Sequence, residues 1–194
     1  VRALVDEVLG AYADRALADL DRWMHGGVDP WVLAYKIGAY LPMDYLLPAY
    51  LTVWVVPALG LALILAIADH DTERRARFLI LSLFCWLFIG NVLAMIGSSV
   101  GPVFYDALLG GDRFAGLHAA LEQSGVTDGR IGFVQDALWN SYVERGMAVG
   151  TGISAFPSVH VAIATLTALY MIERSRWLAV PALAFLVTIQ FLSV

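Results

Sequence analysis

The strongest constraint on this chain is where its charges are missing. Four windows contain no Asp, Glu, Lys or Arg: residues 45–68, 78–105, 146–172 and 177–194, of 24, 28, 27 and 18 residues. A bilayer core is crossed by about 20 consecutive apolar residues in a helix. Four crossings, here A to D, are therefore expected. The runs are continuous and show no alternation of apolar and polar neighbours, so they read as helices and not as barrel strands. Composition agrees, with 60% of the 194 residues hydrophobic and only 15% charged, against about 25% charged in a typical soluble domain. So large an apolar fraction also excludes disorder. A net charge of −5, with no basic tail or stripe, leaves no electrostatic footprint for nucleic acid. The single cysteine, Cys85, permits no internal disulfide and no cysteine-based zinc site, and within its apolar run it reads as a small core residue.

Orientation follows from the short loops. Residues 69–77 hold Arg74, Arg75 and Arg77, and residues 173–176 hold Arg174 and Arg176. Dense arginine places both loops in the cytoplasm. The B–C connection, 106–145, has 40 residues and only three arginines, and is expected outside. Residues 1–44 differ from the rest: Leu4, Val8, Leu17 and Leu20 alternate with Asp6, Glu7, Asp14, Arg15, Asp19 and Asp21, as in an interfacial amphipathic helix. Gly26-Gly27 and Pro30 punctuate it, and residues 31–43 are apolar but too short to span. The expected fold is all-α: a polytopic transmembrane bundle with interfacial helices, four spans here and six in a whole protein. Its parts are an amphipathic segment, 1–44, and a catalytic bundle, 45–194, carrying the outer loop 106–145. With no initiator Met or signal peptide, and with span D stopping at Val194 without a polar flank, the chain reads as a fragment.

An ionisable residue within a span is a functional candidate by default. His160 is such a residue, in the string Ser154-Ala155-Phe156-Pro157-Ser158-Val159-His160. Pro157 suits the first position of a helix, where a missing N–H costs nothing. The first turn would then carry Ser158 and His160 beside free backbone N–H groups, which suits a phosphate. Ser158 offers a hydroxyl donor and His160 a proton near neutral pH. The bland alternative is a core histidine bonded to a carbonyl of a neighbouring helix. At the outer end of span B, Gly101-Pro102 breaks the helix and Tyr105 and Asp106 follow. Asp106 could bond a polar group in the site or be a solvated loop carboxylate. Arg113, Arg130 and Arg145 are the cations of the outer loop, open to binding phosphate or simply to solvation. Residues 131–144 pattern as an amphipathic helix able to lie along the membrane as a lid. The end of B, the start of C and the end of D share the outer face, so three sequence-distant points could line one interfacial pocket.

These motifs resemble the phosphatidic acid phosphatase type 2 superfamily, and most closely its membrane branch of inositol phosphorylceramide synthase-like proteins. The likeness runs through the Asp21-Arg22-Trp23 region, the aromatic start of span A with Tyr50 and Trp54, Gly101-Pro102-Val103-Phe104-Tyr105, and Phe156-Pro157-Ser158-Val159-His160. It implies a phosphohistidine mechanism that needs neither metal nor cofactor. Ser158 and His160 match the second motif, with Val159 where Gly is common, so Ser158 would bind phosphate and His160 would act as general acid. The first motif departs: around Gly101 and Pro102 there is no cation. The nucleophilic His of the third motif has no match, since His25, His70 and His118 stand in no such context, and it is expected beyond Val194. Residues 1–194 alone are therefore expected to be inactive. The implied function is a lipid phosphatase or phosphotransferase, with membrane lipids and a lipid phosphate as partners, in a bacterial inner membrane with its site on the periplasmic side. Hydrolysis and transfer to an alcohol differ only in the acceptor. The other reading is a scaffold or transporter bundle with a structural His160. Transporters place polar breaks near the midplane, whereas these gather at one face. Hydropathy excludes the soluble vanadium haloperoxidase relatives.

Overall fold

A computed structural model describes residues 11–97, 99–143 and 155–193. The amphipathic N-terminal pattern becomes helix α1, Ala11–Met24, with Asp14 in its first turn and Arg22 in its last, charges that complement the helix dipole. Gly26-Gly27 ends it. Pro30 then opens α2, Pro30–Gly38, from the first helical position. The uncharged window 45–68 is helical but not one regular helix. It comprises α3, Met43–Val53, a π-helical segment, Val56–Leu61, and α4, Ala62–Ala68.

Helix α5, Thr72–Phe84, begins six residues before its uncharged window, because Asp71 caps it by accepting from the Arg74 N–H at 3.0 Å. It continues through a π-helical stretch, Cys85–Leu93, and ends at Ile96. Inside the π stretch the Asn91 side-chain amide donates to the Trp86 carbonyl at 2.7 Å, so a polar side chain in an apolar run satisfies its own helix. Gly101-Pro102 breaks the chain as expected, and α6, Pro102–Leu109, follows. Next come α7, Ala115–Gln123, and α8, Arg130–Val143, the latter within a residue of the amphipathic helix anticipated in the outer loop. Helix α9, Val159–Arg174, and helix α10, Ala179–Leu192, complete the chain. No strand occurs among the described residues.

Internal packing divides the chain into two units, each assembled from two stretches of sequence: Val1–Tyr40 with Ala94–Phe156, and Leu41–Leu93 with Pro157–Val194. In the first, Tyr105, Phe114 and Leu117 form the core, flanked by Ala18, Trp31 and Val103. In the second, α9 is the central helix, and its Ile163, Ala164, Leu166, Thr167, Ala168 and Tyr170 are all buried. Ile163, Leu166 and Tyr170 meet Ala58, Phe78 and Cys85, so the cysteine is the core residue the sequence suggested. Ala164 and Ala168 in α9 and Ala182 in α10 are almost fully buried, and small residues let helix backbones approach closely.

The loop after α4 is locked to α9. The Asp69 carboxylate accepts from Arg74 Nε at 2.8 Å and Nη2 at 2.6 Å, and from the Tyr170 hydroxyl at 2.6 Å. The Arg74 and Tyr170 bonds hold the Asp69 carboxyl far below the ordinary carboxylate range, against the opposing effect of burial. One helical run, Thr72–Leu93, is long and apolar enough among the described residues to cross a membrane. The other expected spans form shorter helices. The 16 residues of α9 rise about 24 Å, and the part of its window at 146–154 lies outside the described residues. Many large apolar side chains of the second unit face outward, among them Leu63, Ile67, Ile80, Leu87, Val180 and Val187.

Candidate functional site

The structure shifts the expected start of α9. Pro157 is not its first residue: Ser158 is the N-cap, with extended backbone (φ −78°, ψ 112°), and Val159 opens the helix. The physical reason is the cap itself. The Ser158 hydroxyl oxygen accepts from the Val161 N–H at 3.4 Å, meeting one of the orphan donors of the first turn. Pro157 falls before the cap, where its lack of an N–H is equally harmless. Because the cap uses Ser158 Oγ as an acceptor, its proton stays available to donate. Ser158 and His160 thus share one helix start in the second unit, as the sequence anticipated.

His160 is held by an aromatic pair that the sequence did not assign to the site. The Trp54 ring stacks on the imidazole with centroids 4.0 Å apart and planes 26° apart. Tyr50 stacks at 5.2 Å and 16°. Trp54 also donates from Nε1 to the His160 backbone carbonyl at 3.1 Å, so one indole fixes both the backbone and the ring of the histidine. The signal was present in the spacing: Tyr50 and Trp54 lie one helical turn apart and share a face. Gly90 in the π-helical stretch approaches the same turn. A methyl group at its Cα would lie 3.0 Å from Val159 Cγ2, closer than a carbon pair tolerates without a shift. The imidazole nitrogens have no hydrogen-bond partner among the described residues.

The remaining candidates belong to the first unit. Gly101 has φ +74° and ψ 171°, a region open essentially to glycine, and caps α6 with Pro102 following. Ahead of it, a residue with no motif to announce it organises the turn. Asp14 in α1 is buried, and its Oδ1 accepts from Ser99 Oγ at 2.6 Å, the Val100 N–H at 3.0 Å and the Gly101 N–H at 3.4 Å. The Ser99 carbonyl in turn accepts from the Ala155 N–H at 2.7 Å. So the turn after span B and the residue three before Ser158 are joined within one unit. No sequence signal distinguished Asp14 from the other acidic residues of its helix.

Tyr105 is a core residue, packed edge-on against Phe114 at 5.1 Å. Asp106 is not the solvated loop carboxylate of the alternative reading. Its Oδ2 accepts from the Phe114 N–H at 2.8 Å, while Oδ1 is buried without a partner among the described residues. Arg113 lies over the Tyr105 and Phe114 rings and pairs with Asp19 at 2.6 Å and Asp29 at 3.7 Å, so its charge is largely met. Arg145 and the side chain of Arg130 lie outside the described residues. No group of three or more His, Cys, Asp or Glu side chains is placed to hold a metal ion among the described residues.

A family model described as PAP2 superfamily matches residues 15–194. Comparison with curated proteins and with solved structures gives no match.

Proposed function

Because the chain belongs to the phosphatidic acid phosphatase type 2 superfamily, whose membership suggests phosphatase-type activity, we propose a membrane-embedded lipid phosphatase or phosphotransferase. The observation that carries this is the His160 imidazole, held by Trp54 and Tyr50 two residues beyond the Ser158 cap and without a hydrogen-bond partner among the described residues. Ser158 and the open N–H groups of the first turn of α9 would bind the phosphate oxygens. A nucleophilic histidine of the kind the family's third motif supplies would attack phosphorus. The P–O bond to the lipid alcohol would break, and His160 would give its proton to the departing oxygen. Water or an alcohol would then attack the phosphohistidine, with His160 taking up the acceptor's proton.

The many large apolar side chains that the second unit exposes support a lipid surround. The arginines of 69–77 and 173–176 would lie in the cytoplasm and His160 toward the opposite face. Within the first unit, Gly101, Pro102, Tyr105 and Asp106 would be supporting residues, α8 would lie along the membrane, and Arg145 stays a candidate phosphate ligand.

The test is phosphate release from phosphatidic acid by the full-length protein in detergent micelles containing chelator, with and without an added alcohol. His160→Ala should lower kcat by about 10²–10⁴-fold. Trp54→Leu should lower kcat more than it changes KM, because the ring orients the acid. Undiminished turnover by His160→Ala would refute the assignment.

A further inference from the structure

The π-helical stretch that continues α5, Cys85–Leu93, meets α9 at the turn that carries His160. Such turns are rare and occur frequently at functional sites. Two residues make the meeting. Gly90 lies against Val159, close enough that a methyl group on the glycine would stand 3.0 Å from Val159 Cγ2. Trp86, one turn earlier, packs with Val159 and Trp54 against the core that holds Cys85, Ile163 and Leu166. Its ring meets the Trp54 ring at 6.2 Å and 59°. The Asn91 side-chain amide, on the Trp86 carbonyl at 2.7 Å, adds a bond within the same π stretch.

Val159 stands between Ser158 and His160, so a displacement of its backbone carries both neighbours with it. Its side chain is β-branched and stiff at χ1, so crowding there passes to the backbone instead of being relieved by rotation. Trp54 stacks on the His160 imidazole and donates to the His160 carbonyl, and Trp86 stands against that indole. The π stretch therefore bears on His160 twice: on its backbone through Val159, and on its ring through Trp54.

We propose that Gly90 and Trp86 are positioning residues for His160: Gly90 sets how closely the first turn of α9 seats on α5, and Trp86 backs the indole that orients the imidazole. The inference rests on the reading of His160 as the general acid. It goes beyond that reading by giving α5 control over where the proton is aimed.

The experiment compares kcat/KM of the full-length protein for phosphatidic acid and for 4-nitrophenyl phosphate. This ratio covers the steps through phosphohistidine formation. The lipid alcohol needs a proton as it departs, whereas nitrophenolate departs as an anion, so only the first substrate depends on an aimed acid. A misplacement of 1 Å can cost about 10²-fold, and a methyl group at residue 90 needs a shift of a few tenths of an ångström. Gly90→Ala should therefore lower kcat/KM for phosphatidic acid on the order of four- to tenfold and leave that for 4-nitrophenyl phosphate nearly unchanged. Adding Val159→Ala to Gly90→Ala should restore most of the loss. Trp86→Leu introduces no crowding and should show the same selective loss, which keeps the test open if Gly90→Ala does not fold. A merely structural role would lower turnover of both substrates alike, through the fraction of folded protein. Equal losses on the two substrates, wild-type kcat/KM for phosphatidic acid in Gly90→Ala, or no recovery in the double variant would each overturn the inference. His160→Ala is the control. A selective loss there beside unselective losses in Gly90→Ala and Trp86→Leu overturns the positioning alone, whereas an unselective loss in His160→Ala overturns the general-acid reading beneath it.

Discussion

Asp14→Ala should destabilise the protein by about 3–5 kcal/mol, an unusually large effect for one residue in an amphipathic helix. The carboxylate is 4% exposed and holds the Ser99 hydroxyl at 2.6 Å and the Val100 N–H at 3.0 Å, with a longer bond from the Gly101 N–H at 3.4 Å. Hydrogen bonds to a charged group contribute about 1.5–3 kcal/mol each. Two good bonds, with the long one discounted, give about 3–6 kcal/mol, the upper end of which is trimmed because a variant lets water reach part of the turn, and Ala would leave buried donors without an acceptor. For a chain of this size that is a fall in Tm on the order of 10 °C. The assay is thermal unfolding of Asp14→Ala, Ser99→Ala and the double variant. If the bond exists as described, the cycle should show a coupling of about 1–2 kcal/mol between the two positions. Additivity within about 0.3 kcal/mol would refute the reasoning, because residues that do not share a contact behave in that way. Asp14→Asn keeps an acceptor oxygen and should lose less than Ala.

Two further predictions concern backbone and charge. Gly101→Ala should cost about 1–3 kcal/mol from its backbone conformation alone, and more because the new methyl would lie 2.8 Å from Ala155 Cβ; wild-type thermal stability in this variant would show that the turn is built differently. Asp69→Asn should lower stability near neutral pH and flatten its acid dependence. The folded carboxyl is held below its unfolded value, so its contribution is complete above about pH 4 and is lost as pH falls toward the folded value. The Tm gap between wild type and Asp69→Asn should therefore be constant near neutrality and shrink below about pH 4; a gap that does not change with pH would contradict the Arg74–Asp69–Tyr170 bonding.

Features that depend on neighbours along the chain were legible in the sequence. The described parts of the apolar windows are largely helical, the Gly101-Pro102 break falls where expected, α8 matches the bounds anticipated for it, and Ser158 and His160 stand together at a helix start. Even there, two local preferences competed. Pro157 at the first helical position and Ser158 as cap are both good helix beginnings, and the hydrogen bond to the Val161 N–H favoured the serine. The length of regular helix was less legible, because apolar composition does not distinguish an α-helix from the π-helical stretches at Val56–Leu61 and Cys85–Leu93.

By itself, then, the sequence determined that the chain is helical and apolar, where its turns fall, and that His160 shares a helix start with Ser158. Capping, glycine turns and apolar runs act over a few residues and are written locally. The tertiary structure alone decided that Asp14 grips the Ser99–Gly101 turn, that Trp54 and Tyr50 enclose His160, and that Tyr170 closes on Asp69. Each of these joins residues 85 to 110 positions apart. A buried carboxylate and an exposed one look alike in a helical pattern. What separates them is the partner that folding brings, and that partner is chosen by the packing of whole helices.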